Sequence, residues 1–248
     1  MSIERIHGLH AVQSVLTRHA ARVRRVYIAR DRDDARVAKI TAAAAASGIP
    51  IERVDVAQLT RLCGEGVHQG VIAEIEPLPA WDEDQLLQAL SATSAVPPLV
   101  LVLDGVQDPH NLGACLRTAD ACGVLAVVTP KDRAAPLNAT ARKVAAGAAE
   151  TTPVVRVTNL ARCLRDLKSA GLWIVGTDSE ASQPAGAVDL RGPIAVVMGA
   201  EGAGLRQNTR QHCDWLIRLP SLGAVESLNV SVATGMVLYE ALRQRGSR

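Results

Sequence analysis

Leu99-Val100-Leu101-Val102-Leu103-Asp104-Gly105-Val106-Gln107-Asp108-Pro109-His110-Asn111-Leu112-Gly113-Ala114-Cys115-Leu116-Arg117-Thr118-Ala119-Asp120 decides the fold. A continuous apolar run of five ends in a polar turn, and a helical pattern follows. A run of that length reads as a strand buried on both faces. The same unit recurs along the second half. Leu125–Val128, Leu172–Gly176 and Ile194–Met198 are further short apolar runs. Between them lie the helical patterns Asn111–Cys122, Asn138–Ala149 and Leu160–Ala170, and Asn229–Arg245 closes the chain. Strands alternating with helices predict an α/β fold with a mostly parallel sheet and helices on both sides.

Upstream, His7–Leu16 has helical spacing, Val23–Ala29 reads as a strand and Asp33–Ser47 as an alanine-rich helix stopped by Gly48-Ile49-Pro50. Ile51–Val54 and Val71–Ile75 read as strands, which makes a second, smaller α/β unit. Charge divides the chain in the same way. Residues 1–76 carry 11 basic and 9 acidic side chains, 77–96 carry none and 3, and 97–248 carry 16 and 13. The middle stretch opens on Pro77-Leu78-Pro79 and ends at Pro97-Pro98, so it reads as a linker, with a short helix at Glu83–Leu90 inside it.

Composition narrows the function classes. Of 248 residues, 48% are hydrophobic and 21% charged, a globular balance. No apolar run approaches the ~20 residues of a membrane span, and the N-terminus lacks a signal pattern. Five scattered cysteines without C-x-x-C spacing indicate neither a disulfide framework nor a zinc ribbon, so a reducing cytoplasmic setting and no metal are expected. The net charge of +2 marks no nucleic-acid binder, although arginine supplies nearly all the 27 basic residues and its planar fork suits phosphate. Aromatic residues are 2%, too few for base-stacking platforms. Neither G-x-x-x-x-G-K-[ST] nor G-x-G-x-x-G occurs, and G-x-S-x-G and H-E-x-x-H are also missing, which disfavours P-loop, Rossmann, α/β-hydrolase and zincin chemistry.

Three turns look unlike ordinary core. In the first, Asn111 and Arg117 stand six apart, roughly 120° out of alignment on a helix, yet both lie just past a strand end, where open α/β sheets bind ligands. The alternative makes Asn111 a helix cap and Arg117 a solvated charge. The second, Val197-Met198-Gly199-Ala200-Glu201-Gly202-Ala203-Gly204-Leu205, holds one carboxylate among three glycines that permit close backbone approach, or is a flexible turn with an exposed Glu. In the third, Leu219–Ala233, Ser227 or Asn229 fits a helix cap, and an apolar stripe from Val230 to Ala241 follows.

Together the three turns resemble the SpoU/TrmH family of RNA ribose 2′-O-methyltransferases in the SPOUT superfamily. Asn111 with Arg117 matches its first motif, Gly199–Gly202 its Gly-x-Glu-Gly turn, and Ser227–Ser231 its Ser-Leu-Asn-Val-Ser motif, all in order. Ile6–Val12 and Val67–Val71 look like the family's substrate-binding domain, itself similar to ribosomal protein L30e, and Pro130–Thr140 looks like the subgroup acting on a guanosine of 23S ribosomal RNA. The resemblance implies an L30e-like RNA-binding domain over 1–76 and a SPOUT methyltransferase domain with a deep trefoil knot over 97–248. It also implies S-adenosylmethionine as cofactor, a homodimer formed through the C-terminal domain, and 23S rRNA as partner. By motif position it assigns catalysis to Arg117, Asn111, Glu201, Ser227 and Asn229, and donor binding to backbone near Gly199, Leu219 and Leu228. Arg117 acts either as base or as an electrostatic clamp. A tRNA or other rRNA target, or a non-catalytic RNA-binding assembly factor, is the alternative. Arg18, Arg22, Arg24, Arg25, Arg30, Arg32 and Arg36 are candidate phosphate contacts; His7, His10 and His68 are structural or touch RNA. His110 and the cysteines read as local structure and core.

Overall fold

Short apolar strands and amphipathic helices set the layout of two compact units, Met1–Pro79 with Ala146–Thr151, and Ala80–Ala145 with Thr152–Arg248. The computed structural model describes residues 3–64, 67–76, 81–92, 95–223 and 227–246. The first unit runs β1 (Glu4–His7), α1 (Leu9–Arg18), β2 (Val23–Ala29), α2 (Ala35–Ala46), β3 (Ile51–Val54), α3 (Val56–Cys63) and β4 (Val71–Ile75). Its four-stranded sheet has the order β1-β4-β2-β3. Only the β2–β3 pairing is parallel. On one side α1 and α2 bury Val12, Val15, Val37 and Ile40 against Val26 and Ile28; on the other, Leu59 of α3 packs with Tyr27, Val54 and Ile72.

The second unit begins with α4 (Glu83–Ser91), capped by a reciprocal Asp82–Gln85 box. Leu86 of this helix is buried in the second unit's core, so residues expected to form a linker contribute to its packing. Pro77–Ala80, Thr93 and Ser94, also in that stretch, lie outside the described residues. The chain then passes through β5 (Leu99–Asp104), α5 (Pro109–Ala121), β6 (Ala126–Pro130), α6 (Ala139–Ala145), β7 (Val154–Val157), α7 (Leu160–Ser169), β8 (Trp173–Thr177), β9 (Gln183–Pro184), β10 (Ile194–Gly199), α8 (Gln207–Gln211), β11 (Trp215–Arg218) and α9 (Val230–Gln244). The seven strands are ordered β7-β6-β5-β10-β8-β11-β9, and every pairing is parallel. β5 is buried along its whole length, as its unbroken apolar run requires.

Two helices differ from expectation. α5 starts at Pro109 rather than Asn111, because Asp108 accepts the His110 N–H as cap and proline suits the first turn. Asn111 therefore sits inside the first turn and is not the cap. The helix expected over 138–149 stops at Ala145, because Ala146 and Gly147 adopt left-handed backbone (φ 51° and 100°). A Cβ on Gly147 would lie 2.9 Å from the Cα of Ala11, so only glycine fits there. The 3-10 turn that follows, Ala148–Glu150, belongs to the first unit, where Arg22 donates from Nη1 to the Glu150 carbonyl at 2.6 Å.

Candidate active site

Because every strand of the second sheet runs the same way, the polar turns after β5, β8, β10 and β11 leave from one edge, where open α/β sheets bind ligands. β10 ends at Gly199, and the turn beyond it closes on itself through two backbone hydrogen bonds between Ala200 and Gly204, at 3.0 and 2.9 Å. A Cβ on Gly199 would fall 2.2 Å from the Gly204 carbonyl carbon, so the closure depends on glycine. Gly202 and Gly204 take positive φ to complete the loop, with Glu201 near its tip.

Glu201 is one end of a side-chain relay. Asn111 Nδ2 donates to Glu201 Oε2 at 3.3 Å, and Asn229 Nδ2 donates to Asn111 Oδ1 at 2.9 Å. Asn229 Oδ1 in turn accepts from the backbone N–H and hydroxyl of Ser231 and caps α9. Residues 111, 201 and 229, far apart in sequence, thus meet in one network, and buried Asn111 spends both halves of its amide in it.

The network borders a cavity of about 400 Å³. Gly199, Glu201, Leu219, Ser227 and Leu228 line it. Asn111 and Asn229 support its wall through the relay rather than lining it. Arg117 is not brought to it: the side chain is exposed on α5 and makes no ion pair or side-chain hydrogen bond among the described residues. Ala224–Glu226, between the third turn's two halves, lie outside the described residues.

Sequence reasoning missed another part of the lining. Thr177, Asp178, Glu180 and Arg210 face the cavity, and Arg210 holds Asp178 in an ion pair at 2.6 Å. The available signal was the carboxyl end of β8, a strand legible as such, whose following residues include two acids.

The remaining candidates have local explanations. His110 Nδ1 lies 3.1 Å from Asp108 Oδ1 within one helical turn. Burial pushes the Cys115 thiol up to about 11, and Cys163 and Cys213 to about 12, which suits core residues and not nucleophiles. In the first unit, Arg24 pairs with Glu76, Arg25 with Glu52 at 2.8 Å and Arg32 with Asp34 at 2.7 Å, while Arg18, Arg30 and Arg36 are exposed. His68 Nδ1 accepts the Gly70 N–H at 2.9 Å, a turn-forming role. Among the described residues, no group of three His, Cys, Asp or Glu side chains could hold a metal ion, and no helix is long and apolar enough to cross a membrane.

Comparison with known proteins gives the family. Residues 98–239 match the SpoU rRNA Methylase family, and residues 5–81 match the RNA 2′-O ribose methyltransferase substrate-binding family. The chain is 55% identical over 242 residues to the 23S rRNA (guanosine-2′-O-)-methyltransferase RlmB of Pseudomonas aeruginosa, covering 98% of this chain and 97% of that protein. It is 50% identical to the enzyme of the same name from Escherichia coli K12, covering 98% and 99%. In fold it is similar to the SpoU methyltransferase AviRb from Streptomyces viridochromogenes in complex with AdoMet, with a TM-score of 0.74 at 25% identity over 99% of this chain and 91% of that one. Three motif turns joined at one sheet edge, with family matches over both parts of the chain, lead to one conclusion: this protein belongs to the SpoU rRNA methylase family.

Proposed function

We propose that this chain transfers a methyl group from S-adenosylmethionine to the ribose 2′-hydroxyl of a guanosine in 23S ribosomal RNA. The observation that carries the reading is the Glu201–Asn111–Asn229 relay, which ties the three motif turns into one wall of the cavity. The names of relatives at 50–55% identity over nearly the whole chain support the substrate.

The residues present fit the methyl donor. Gly199 lets backbone close around the cavity where any Cβ would collide, and Leu219 and Leu228 offer apolar surface to an adenosine group. Asp178, Glu180 and Glu201 supply negative charge complementary to a sulfonium. When bound, S-adenosylmethionine supplies an electrophilic methyl group. Asn111 orients Glu201, and Asn229 with Ser227 completes the pocket for the incoming ribose. Arg117, whose guanidinium offers donors and no acceptor, serves as an electrostatic clamp. It binds the phosphate next to the target and stabilises the alkoxide developing at the 2′-oxygen. Its exposure, with no carboxylate partner among the described residues, leaves it available to phosphate.

The wider assignment follows. Residues 1–76 hold RNA and residues 97–248 form the knotted SPOUT domain, a path supported by the insertion of β10 between β5 and β8. The protein works in the cytoplasm as a homodimer, for which α9 offers the exposed apolar residues Val232, Met236 and Tyr239.

Deleting the gene and mapping ribose methylation across rRNA and tRNA tests the target. Loss of one 2′-O-methylguanosine in 23S rRNA is expected, restored by the wild-type gene; a lost mark on tRNA instead would reassign the substrate. Arg117→Ala is expected to abolish methyl transfer while calorimetry finds donor binding nearly intact. Turnover near that of the wild type would remove Arg117 from the chemistry.

A further inference from the structure

The turn that carries Glu201 is fastened from the strand side by Asp104, which belongs to none of the three motifs. Asp104 ends β5, and its side chain is fully buried. Across the parallel ladder it stands opposite Gly199, the first residue of the turn. Its Oδ2 accepts the backbone N–H of Arg206 at 3.1 Å, and Arg206 follows directly on the turn's far end. Its Oδ1 accepts from Arg206 Nε at 2.5 Å, and Arg206 Nη2 contacts the same oxygen. One residue thus ties down both ends of the loop that lines the cavity.

A buried carboxylate is unfavourable unless several donors satisfy it. Here a backbone amide and a guanidinium fork do so, and both come from the residue that closes the turn. The loop between the two anchors contains three glycines; Glu201 reaches Asn111 from its tip and Leu205 packs on the core at its end. Its own cross-bridge joins Ala200 to Gly204 but does not fix the loop against the sheet. The Asp104 contacts do.

We propose that Asp104, with Arg206 as its counter-ion, is a positioning residue for methyl transfer: it sets the Gly199–Leu205 turn so that its backbone faces the methyl donor and Glu201 meets Asn111. The inference rests on the functional reading above and adds a residue pair to it. A prop for folding alone would affect how much protein folds. A positioning residue affects how well each folded molecule binds donor and reacts.

The test uses the full-length protein with Asp104→Asn, Arg206→Lys, Arg206→Gln and the double variant Asp104→Asn/Arg206→Gln. S-adenosylmethionine affinity is read by calorimetry, the single-turnover rate at saturating donor by methyl incorporation into 23S rRNA, and folding by thermal melting. Asp104→Asn turns an amide toward the guanidinium, and we expect at least ten-fold weaker donor binding and a ten-fold slower single turnover per folded molecule. Arg206→Lys keeps the charge but loses the fork; it should weaken donor binding several-fold with the melting temperature nearly unchanged, and it tests the inference even if Asp104→Asn fails to fold. The double variant, which restores a neutral hydrogen-bonded pair, should bind donor better than Asp104→Asn alone. Wild-type donor affinity and rate in every folded variant, with only melting lowered, would overturn the positioning role and leave the enzyme reading intact. Failure of the wild type itself to bind donor would overturn the enzyme reading, and this inference with it.

Discussion

Asn111 can join Glu201 to Asn229 only because its amide has two faces. The nitrogen donates to Glu201 and the oxygen accepts from Asn229, so the residue must be both donor and acceptor. Asn111→Asp keeps the shape and the acceptor but sets a second carboxylate at hydrogen-bond distance from Glu201. Like charges that close disfavour joint ionisation. The expected result is at least a ten-fold fall in single-turnover rate per folded molecule (~1.4 kcal/mol) together with a lower melting temperature, because the added carboxylate is buried; a rate within two-fold of wild type would remove the relay from the mechanism. The thiols give a residue-scale prediction of the opposite kind. Cys115, Cys163 and Cys213 are held by burial at about 11, 12 and 12, so at pH 7.5 almost none of each is thiolate. Iodoacetamide at that pH should leave all three unmodified in the native protein by peptide mass spectrometry. Stoichiometric labelling of Cys213, which is part-buried against the core, before unfolding would contradict the raised thiol pKa.

At the scale of elements, α9 is fixed at both ends, and the ends do different jobs. Asn229 caps the start and joins the site. At the finish, Arg245 donates to three backbone carbonyls, those of Leu190 at 3.1 Å, Pro97 at 2.9 Å and Gly192 at 2.6 Å, and Gln244 bridges Val188 and Leu190 beside it. Half-burial lowers the Arg245 pKa through desolvation. Removing the group leaves three carbonyls without their charged donor, and hydrogen bonds to charged groups are worth ~1.5–3 kcal/mol each in favourable cases. Arg245→Ala should therefore lower unfolding stability by about 2 kcal/mol in urea titration, with Arg245→Lys recovering part of it. No change would mean solvent already serves those carbonyls. The same scale explains what could be read beforehand. β5, β6, β8 and β10 were legible because burial on both faces leaves an unbroken apolar signature. β7 was not, because Arg156 interrupts it on an edge strand, nor was α8, whose five residues carry too little periodicity. The stop in α6 was hidden because Ala146 adopts left-handed backbone that its residue type does not announce. The site was half legible: motif residues at cavity and relay were named from sequence, whereas Asp178 and Arg210 depend on which strands the topology makes neighbours.

For the whole molecule, the question is what covers α9. Val232, Met236 and Tyr239 are 52%, 41% and 67% exposed on a helix that otherwise buries Val230, Thr234, Val237, Leu238 and Ala241. They stand at i, i+4 and i+7, which places them on one face as a stripe. Exposed apolar stripes of this kind mark interaction surfaces. This one continues from the helix start where Asn229 enters the relay, so a second copy seated there would stiffen the element that anchors the site. The dimer is therefore expected to support activity as well as assembly. Sedimentation of the wild type at micromolar concentration should give a dimer. Met236→Glu, which sets a charge into the stripe while leaving the buried face of α9 untouched, should raise the dimer dissociation constant at least a hundred-fold and lower methyl transfer in parallel. A monomeric wild type would remove the homodimer from the functional proposal, and a monomeric, fully active Met236→Glu would separate assembly from catalysis.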